Sequence, residues 1–160
     1  MKLAQYSLAI LQAIKSLMRY TGKNMRIFIV DEDPICRELY KQYLLNMGFI
    51  KIDLFENGKE CIKKLDKIPD LIFVDNCIAS DDCIENLKKI KRINPDIYIV
   101  FLSEPGDIEL AIRALKLGAF DYIIKGEKEE EMIQNVVRRI LDIMKMFSKN
   151  FPANFISSDN

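Results

Sequence analysis

A chain of 160 residues that is 49% apolar and 30% charged has room for one ordinary domain with a short addition at either end, and is too apolar to be disordered. Its 24 basic residues balance its 24 acidic ones, which argues against a broad nucleic-acid surface. The absence of histidine excludes Ser-His-Asp triads, Cys-His nucleophile pairs and nearly all catalytic zinc sites, leaving carboxylates, hydroxyls, lysine or a hard metal to carry any chemistry.

Residues 1–24 come first as a helical extension. Leu3, Tyr6, Ile10, Ala13, Ile14 and Leu17 recur at three- and four-residue spacing, an amphipathic stripe. Gln5 and Gln12 interrupt the apolar run and no small-residue cleavage site follows, so a signal peptide is not expected. No run reaches the roughly 18 apolar residues of a membrane span. Cys36, Cys61, Cys77 and Cys83 form no C-x-x-C pair and three fall in apolar stretches, which reads as reduced thiols in a cytoplasmic protein.

From Met25 onward short apolar runs alternate with amphipathic stretches. Ile27–Val30, Leu71–Val74 and Ile97–Leu102 are apolar throughout, as strands of a parallel sheet covered on both faces are. Lys51–Phe55, alternating in character, suits an edge strand, and Phe120–Lys125 completes five. Between them, Asp33 and Pro34 begin a first helix that Gly48 ends. Asn57 and Glu60 read as a capping box for a second. A third runs from Asp82 to Ile93, before Pro95, with Lys88, Lys89, Lys91 and Arg92 as its solvated face. A fourth runs from Asp107 to Leu117, and a fifth follows Gly126 with Glu127, Glu129, Glu130 and Glu131 in its first turns. Five β-α repeats predict an α/β doubly wound, flavodoxin-like sheet of order 2-1-3-4-5, with an extra N-terminal helix.

In such a sheet ligands sit beyond the carboxyl ends of the strands, at the switch in strand order. The first strand delivers Asp31 and Glu32 there, the third Asp75, the fourth Ser103 and the fifth Lys125; Glu56, from the second, lies to one side. Converging carboxylates repel by roughly 4 kcal/mol per close pair at an effective dielectric of 20. A hard divalent cation among them removes that conflict, and oxygen ligands suit Mg2+. The lysine and the hydroxyl then face phosphate oxygens, and an aspartate beside the cation can be the nucleophile toward phosphorus.

The stretch from Met25 to about Leu141 resembles the receiver domain of two-component response regulators, through IFIVDEDP, PDLIFVD, IVFLS and GAFDYIIKG in that order. The resemblance implies a stand-alone, chemotaxis-regulator-like receiver that accepts phosphate on Asp75 from a histidine kinase or histidine phosphotransfer protein. It implies Mg2+ held by Asp31, Glu32, Asp75 and the backbone carbonyl of Cys77. Ser103 would hydrogen-bond the phosphoryl group, Lys125 would pair with it, and Tyr122 would be the aromatic half of a Ser103–Tyr122 switch. Such a domain is a signalling phosphoprotein rather than an enzyme, its own phosphotransfer and dephosphorylation aside, and it binds neither nucleic acid nor membrane. Three positions depart from the family pattern: Ala79 where proline is usual, Glu104 after the serine, and Gly126 after the lysine.

Two other readings are open. A receiver-shaped interaction or dimerisation module would never meet phosphate. IFIVDEDP also resembles the first motif of haloacid-dehalogenase-type phosphatases, in which Asp31 would be the nucleophile and Asp33 the acid-base residue. By extent, 25–148 is the receiver with a prolonged last helix and 149–160 a tail. The remaining residues are too few for an output domain, so output is expected through protein contacts. Ile133, Val136, Val137, Ile140, Met144 and Phe147 continue an apolar stripe along the last helix. The Leu3–Leu17 helix is expected to pack on this Ile133–Phe147 stripe, within the chain or across a two-fold homodimer, the dimer favoured.

Overall fold

A computed structural model describes residues 24–75 and 81–149. Five strands alternate with five helices: β1 (Arg26–Val30), α1 (Pro34–Asn46), β2 (Lys51–Phe55), α2 (Gly58–Lys63), β3 (Leu71–Asp75), α3 (Asp81–Ile93), β4 (Tyr98–Ser103), α4 (Ile108–Lys116), β5 (Asp121–Ile124) and α5 (Glu129–Lys149). All neighbouring strands pair in parallel, in the order β2-β1-β3-β4-β5. The doubly wound sheet expected from the strand patterns is present. No helix of the described residues is long and apolar enough to cross a membrane.

Alternation along the strands explains why the central ones are apolar throughout. Ile27 and Ile29 face α1 and α5, packing with Tyr40, Leu44, Phe73, Val100 and Ile133. Phe28 and Val30 face the opposite layer, with Ile72, Ile99, Phe101, Cys61 and Leu87. Each strand thus carries two cores, one per face.

Local signals place the helix ends. The Asp33 side chain accepts from the Ile35 amide, Pro34 occupies the first turn of α1, and Gly48 takes a φ of +92° beyond its end. Asn57 accepts from the Glu60 amide at the start of α2, which lasts only six residues before a 3-10 turn at Leu65–Lys67. Strand boundaries shift by one residue from expectation, and Ser103 closes β4 instead of following it.

Two sequence readings need correction. Lys91 is not part of a solvated face: its ammonium donates to the carbonyls of Pro95 and Ile97, and its stem lies against Gly118. The apolar stripe of α5 is not free along its length either, because Ile133, Val136, Val137 and Ile140 are buried in the chain's own core. Cys36 and Cys61 are free thiols, whereas Cys77 lies outside the described residues. The Leu3–Leu17 stripe, Ala79 and the tail from residue 150 also lie outside them.

Candidate functional site

The register of the sheet assembles the site. Val30 pairs with Val74, so the next residue on each strand is an aspartate, and Asp31 and Asp75 stand side by side at the switch point. Both are buried, at 2% and 6% exposure. Ser103 ends β4 at 3% exposure, and its carbonyl accepts from the Lys125 amide, which prolongs the ladder one residue past β5. Of the four groups expected here from sequence, Asp31, Asp75 and Lys125 come within ion-pair distance, and Ser103 ends the neighbouring strand at the same edge.

The Lys125 ammonium is the hub. Nζ lies 2.6 Å from Asp75 Oδ1, 3.9 Å from Asp31 Oδ2 and 3.6 Å from Glu104 Oε1. The contact with Asp75 is an ion pair without hydrogen-bond alignment, and among the described residues neither Asp75 Oδ1 nor Asp31 Oδ2 has a hydrogen-bond donor. The other Asp31 oxygen accepts from the Asp33 amide at 2.8 Å. Burial pushes the Asp31 carboxyl up to about 6; the Asp33 amide pulls it back, and the neighbouring Asp75 charge raises it again. One lysine thus faces two buried acids.

Two unbonded carboxylate oxygens are the kind of donor a hard divalent cation takes. Glu32 is exposed, and among the described residues no three acidic or thiol side chains converge as a metal site. Asp31 and Asp75 are therefore the buried side-chain oxygens here that could take a cation. Asp33 is exposed and committed to capping α1, and the Ile35 amide holds its carboxyl below the usual range. That leaves little of a phosphatase acid-base residue in it.

Tyr122 is half-buried on the α4 side of the sheet. It pairs in register with Phe101 while Ile124 pairs with Ser103, so Ser103 is its diagonal neighbour on the same face. That is the placement a hydroxyl–aromatic exchange needs.

Sequence reasoning missed two supports. Arg37, one turn into α1, donates to the carbonyls of Asp31 and Glu32 and pins the β1–α1 loop. Tyr40, buried in α1, donates to Glu129 Oε1 at 2.7 Å, tying the first turn of α5 to α1 three residues after Gly126. Nothing local in the sequence pairs Tyr40 with a residue 89 positions away.

The family model for the response regulator receiver domain matches residues 27–137. Transcriptional regulatory protein ZraR of Klebsiella oxytoca is 34% identical over 106 residues, covering 66% of this chain and 24% of that protein. Chemotaxis protein CheY of Bacillus subtilis is 31% identical over 112 residues, covering 69% of this chain and 93% of the relative. The solution structure of the apo receiver domain of nitrogen regulatory protein C superposes with a TM-score of 0.66 at 26% identity, covering 76% of this chain and 97% of that one. The chain thus spans about a quarter of the ZraR-type regulators and nearly all of the chemotaxis protein.

Proposed function

The chain belongs to the response regulator receiver domain family, and from that premise we propose that Asp75 accepts a phosphoryl group from a histidine kinase or histidine phosphotransfer protein, the signal passing on through protein contacts. The observation that carries this reading is the buried Asp75 carboxylate 2.6 Å from Lys125 Nζ, with that oxygen offered no hydrogen bond among the described residues. A carboxylate oxygen forms the new bond to phosphorus, and the donor's bond to phosphorus breaks with its electron pair leaving on the donor. Lys125 neutralises a phosphoryl oxygen as a point charge, and Ser103 offers a hydroxyl donor to another. Asp31 and Asp75, with Glu32 and the Cys77 carbonyl, are the residues for Mg2+, which would supply charge neutralisation at the phosphoryl group. Ser103 drawn toward phosphate leaves room on the α4 face that Tyr122 fills, a two-state change a partner can read. These roles suit a cytoplasmic domain.

Acetyl phosphate with Mg2+, followed by intact mass, tests the assignment. One phosphoryl adduct is expected, absent in Asp75→Asn and in EDTA. No adduct at any donor concentration leaves the unphosphorylated interaction module, an adduct in Asp75→Asn moves the acceptor elsewhere, and steady phosphomonoester turnover needing Asp31 and Asp33 restores the phosphatase. Hydrogen exchange over α4 and β5 in the phosphorylated Ser103→Ala variant reads the switch: the change seen in the parent protein is expected to be lost.

Glu104 modulates the same step. Its carboxylate lies 3.6 Å from Lys125, where it competes for the ammonium and repels an anionic donor. Because the side chain is 55% exposed, water and salt weaken the effect. Glu104→Ala is expected to speed labelling by acetyl phosphate roughly two- to fivefold, less at high salt. An unchanged or slower rate removes Glu104 from this role.

A further inference from the structure

The distal end of α5 carries apolar surface that the domain does not cover. The helix is 21 residues long, about 31 Å at 1.5 Å per residue, and the family match ends at residue 137, well before the helix does. Ile140 is its last fully buried residue. Beyond it Ile143 and Met144 are half-buried, while Met146 and Phe147 are 65% and 66% exposed. A helix end of this composition is unstable alone in water, because short helices draw their stability from packing an apolar face.

The position of this surface points to its occupant. Strands run parallel and α5 returns antiparallel to β5, so α5 ends at the edge where β1 begins. Met144 packs against the same core layer that holds Met25, the residue just before β1. The segment preceding Asn24 therefore joins the fold beside the uncovered end of α5. That segment carries the stripe Leu3, Tyr6, Ile10, Ala13, Ile14 and Leu17, whose spacing matches one face of a helix. Residues 18–23, with Gly22 among them, can span up to about 20 Å extended, enough to turn back along α5. So short a tether gives the segment an effective concentration in the millimolar range, above that of a second copy at working dilution.

We propose that residues 3–17 fold back as a helix whose apolar stripe covers the Met144–Phe147 end of α5 in the same chain. The function of the phosphate site does not enter this argument.

Hydrogen exchange by mass spectrometry on the full chain, with light scattering for mass, tests it. The parent protein is expected to be a monomer with protected amides over 141–149. Ile10→Asp with Ile14→Asp should speed exchange there at least tenfold and leave residues 26–137 unchanged. Phe147→Asp, altering the opposite partner, should give the same local loss and add little when combined with the first pair. Unprotected 141–149 in the parent, or exchange unchanged in the Ile10→Asp, Ile14→Asp chain, overturns the proposal. A dimer mass that falls to monomer in that variant also overturns it, by assigning the cover to a second copy.

Discussion

Asp31→Asn is expected to stabilise the metal-free protein at pH 7.5 while slowing phosphoryl transfer. Asp31 is 2% exposed, and burial holds its carboxyl up at about 6, against an ordinary value near 3.8. The folded state therefore binds a proton more tightly than the unfolded one, so stability is lost as pH rises from about 4 to about 6 and is flat above. Asparagine keeps an oxygen for the Asp33 amide and carries no charge at any pH. The gain at pH 7.5 is of the order of 2 kcal/mol, since one pKa unit corresponds to about 1.4 kcal/mol. For a domain of this size that is a rise in Tm of roughly 4–8 °C. Thermal unfolding in EDTA at pH 4 and pH 7.5 checks the sign: the advantage should nearly vanish at the lower pH. Saturating Mg2+ should narrow it too, because a ligand of the native state stabilises the parent more than the variant. A variant less stable than the parent at pH 7.5 would mean the Asp31 charge is well accommodated. The same charge that weakens the fold is the one the phosphate site is read to need for its cation.

How much of this arrangement was legible depends on which atoms carry it. Ile27–Val30 announces a two-faced strand because every residue is apolar, and only a sheet covered on both sides makes use of that. Once the strand order is 2-1-3-4-5, Asp31 and Asp75 must be neighbours, since strand ends in a parallel sheet converge on one edge. Lys91 was misread because its side chain acts across the α3–β4 turn, on carbonyls that carry no residue-type signal. Arg37 escaped notice for the same reason: its partners are the main-chain oxygens of Asp31 and Glu32. On α5 the periodicity of the stripe is visible throughout, but it cannot tell Ile140, packed on its own sheet, from Phe147, which stands beyond it. Side-chain pattern reports faces; it does not report where the opposing surface stops.

Lys125→Met is expected to move stability in the opposite direction, and by more. The substitution keeps most of the apolar stem and removes the ammonium that faces Asp75 at 2.6 Å and Asp31 at 3.9 Å. Two buried carboxylates then confront each other, with the Asp33 amide donating to Asp31 and no donor among the described residues to Asp31 Oδ2 or Asp75 Oδ1. Stripping one partner from a buried ion pair costs about 3–5 kcal/mol, and the lower end applies here because Asp31, already held up at about 6, can take up a proton instead. A fall in Tm of roughly 6–12 °C at pH 7.5 follows, shrinking as the pH is lowered toward 5. Adding Asp75→Asn to Lys125→Met should recover most of the loss, because the remaining carboxylate no longer meets a like charge. The double-mutant cycle isolates that coupling from lost packing. If Asp75→Asn destabilises the Lys125→Met protein further, the lysine is holding the edge of the sheet by contact and not by charge. If the cycle closes as expected, the lysine proposed to pair with a phosphoryl group is the same one that keeps two aspartates tolerable without it.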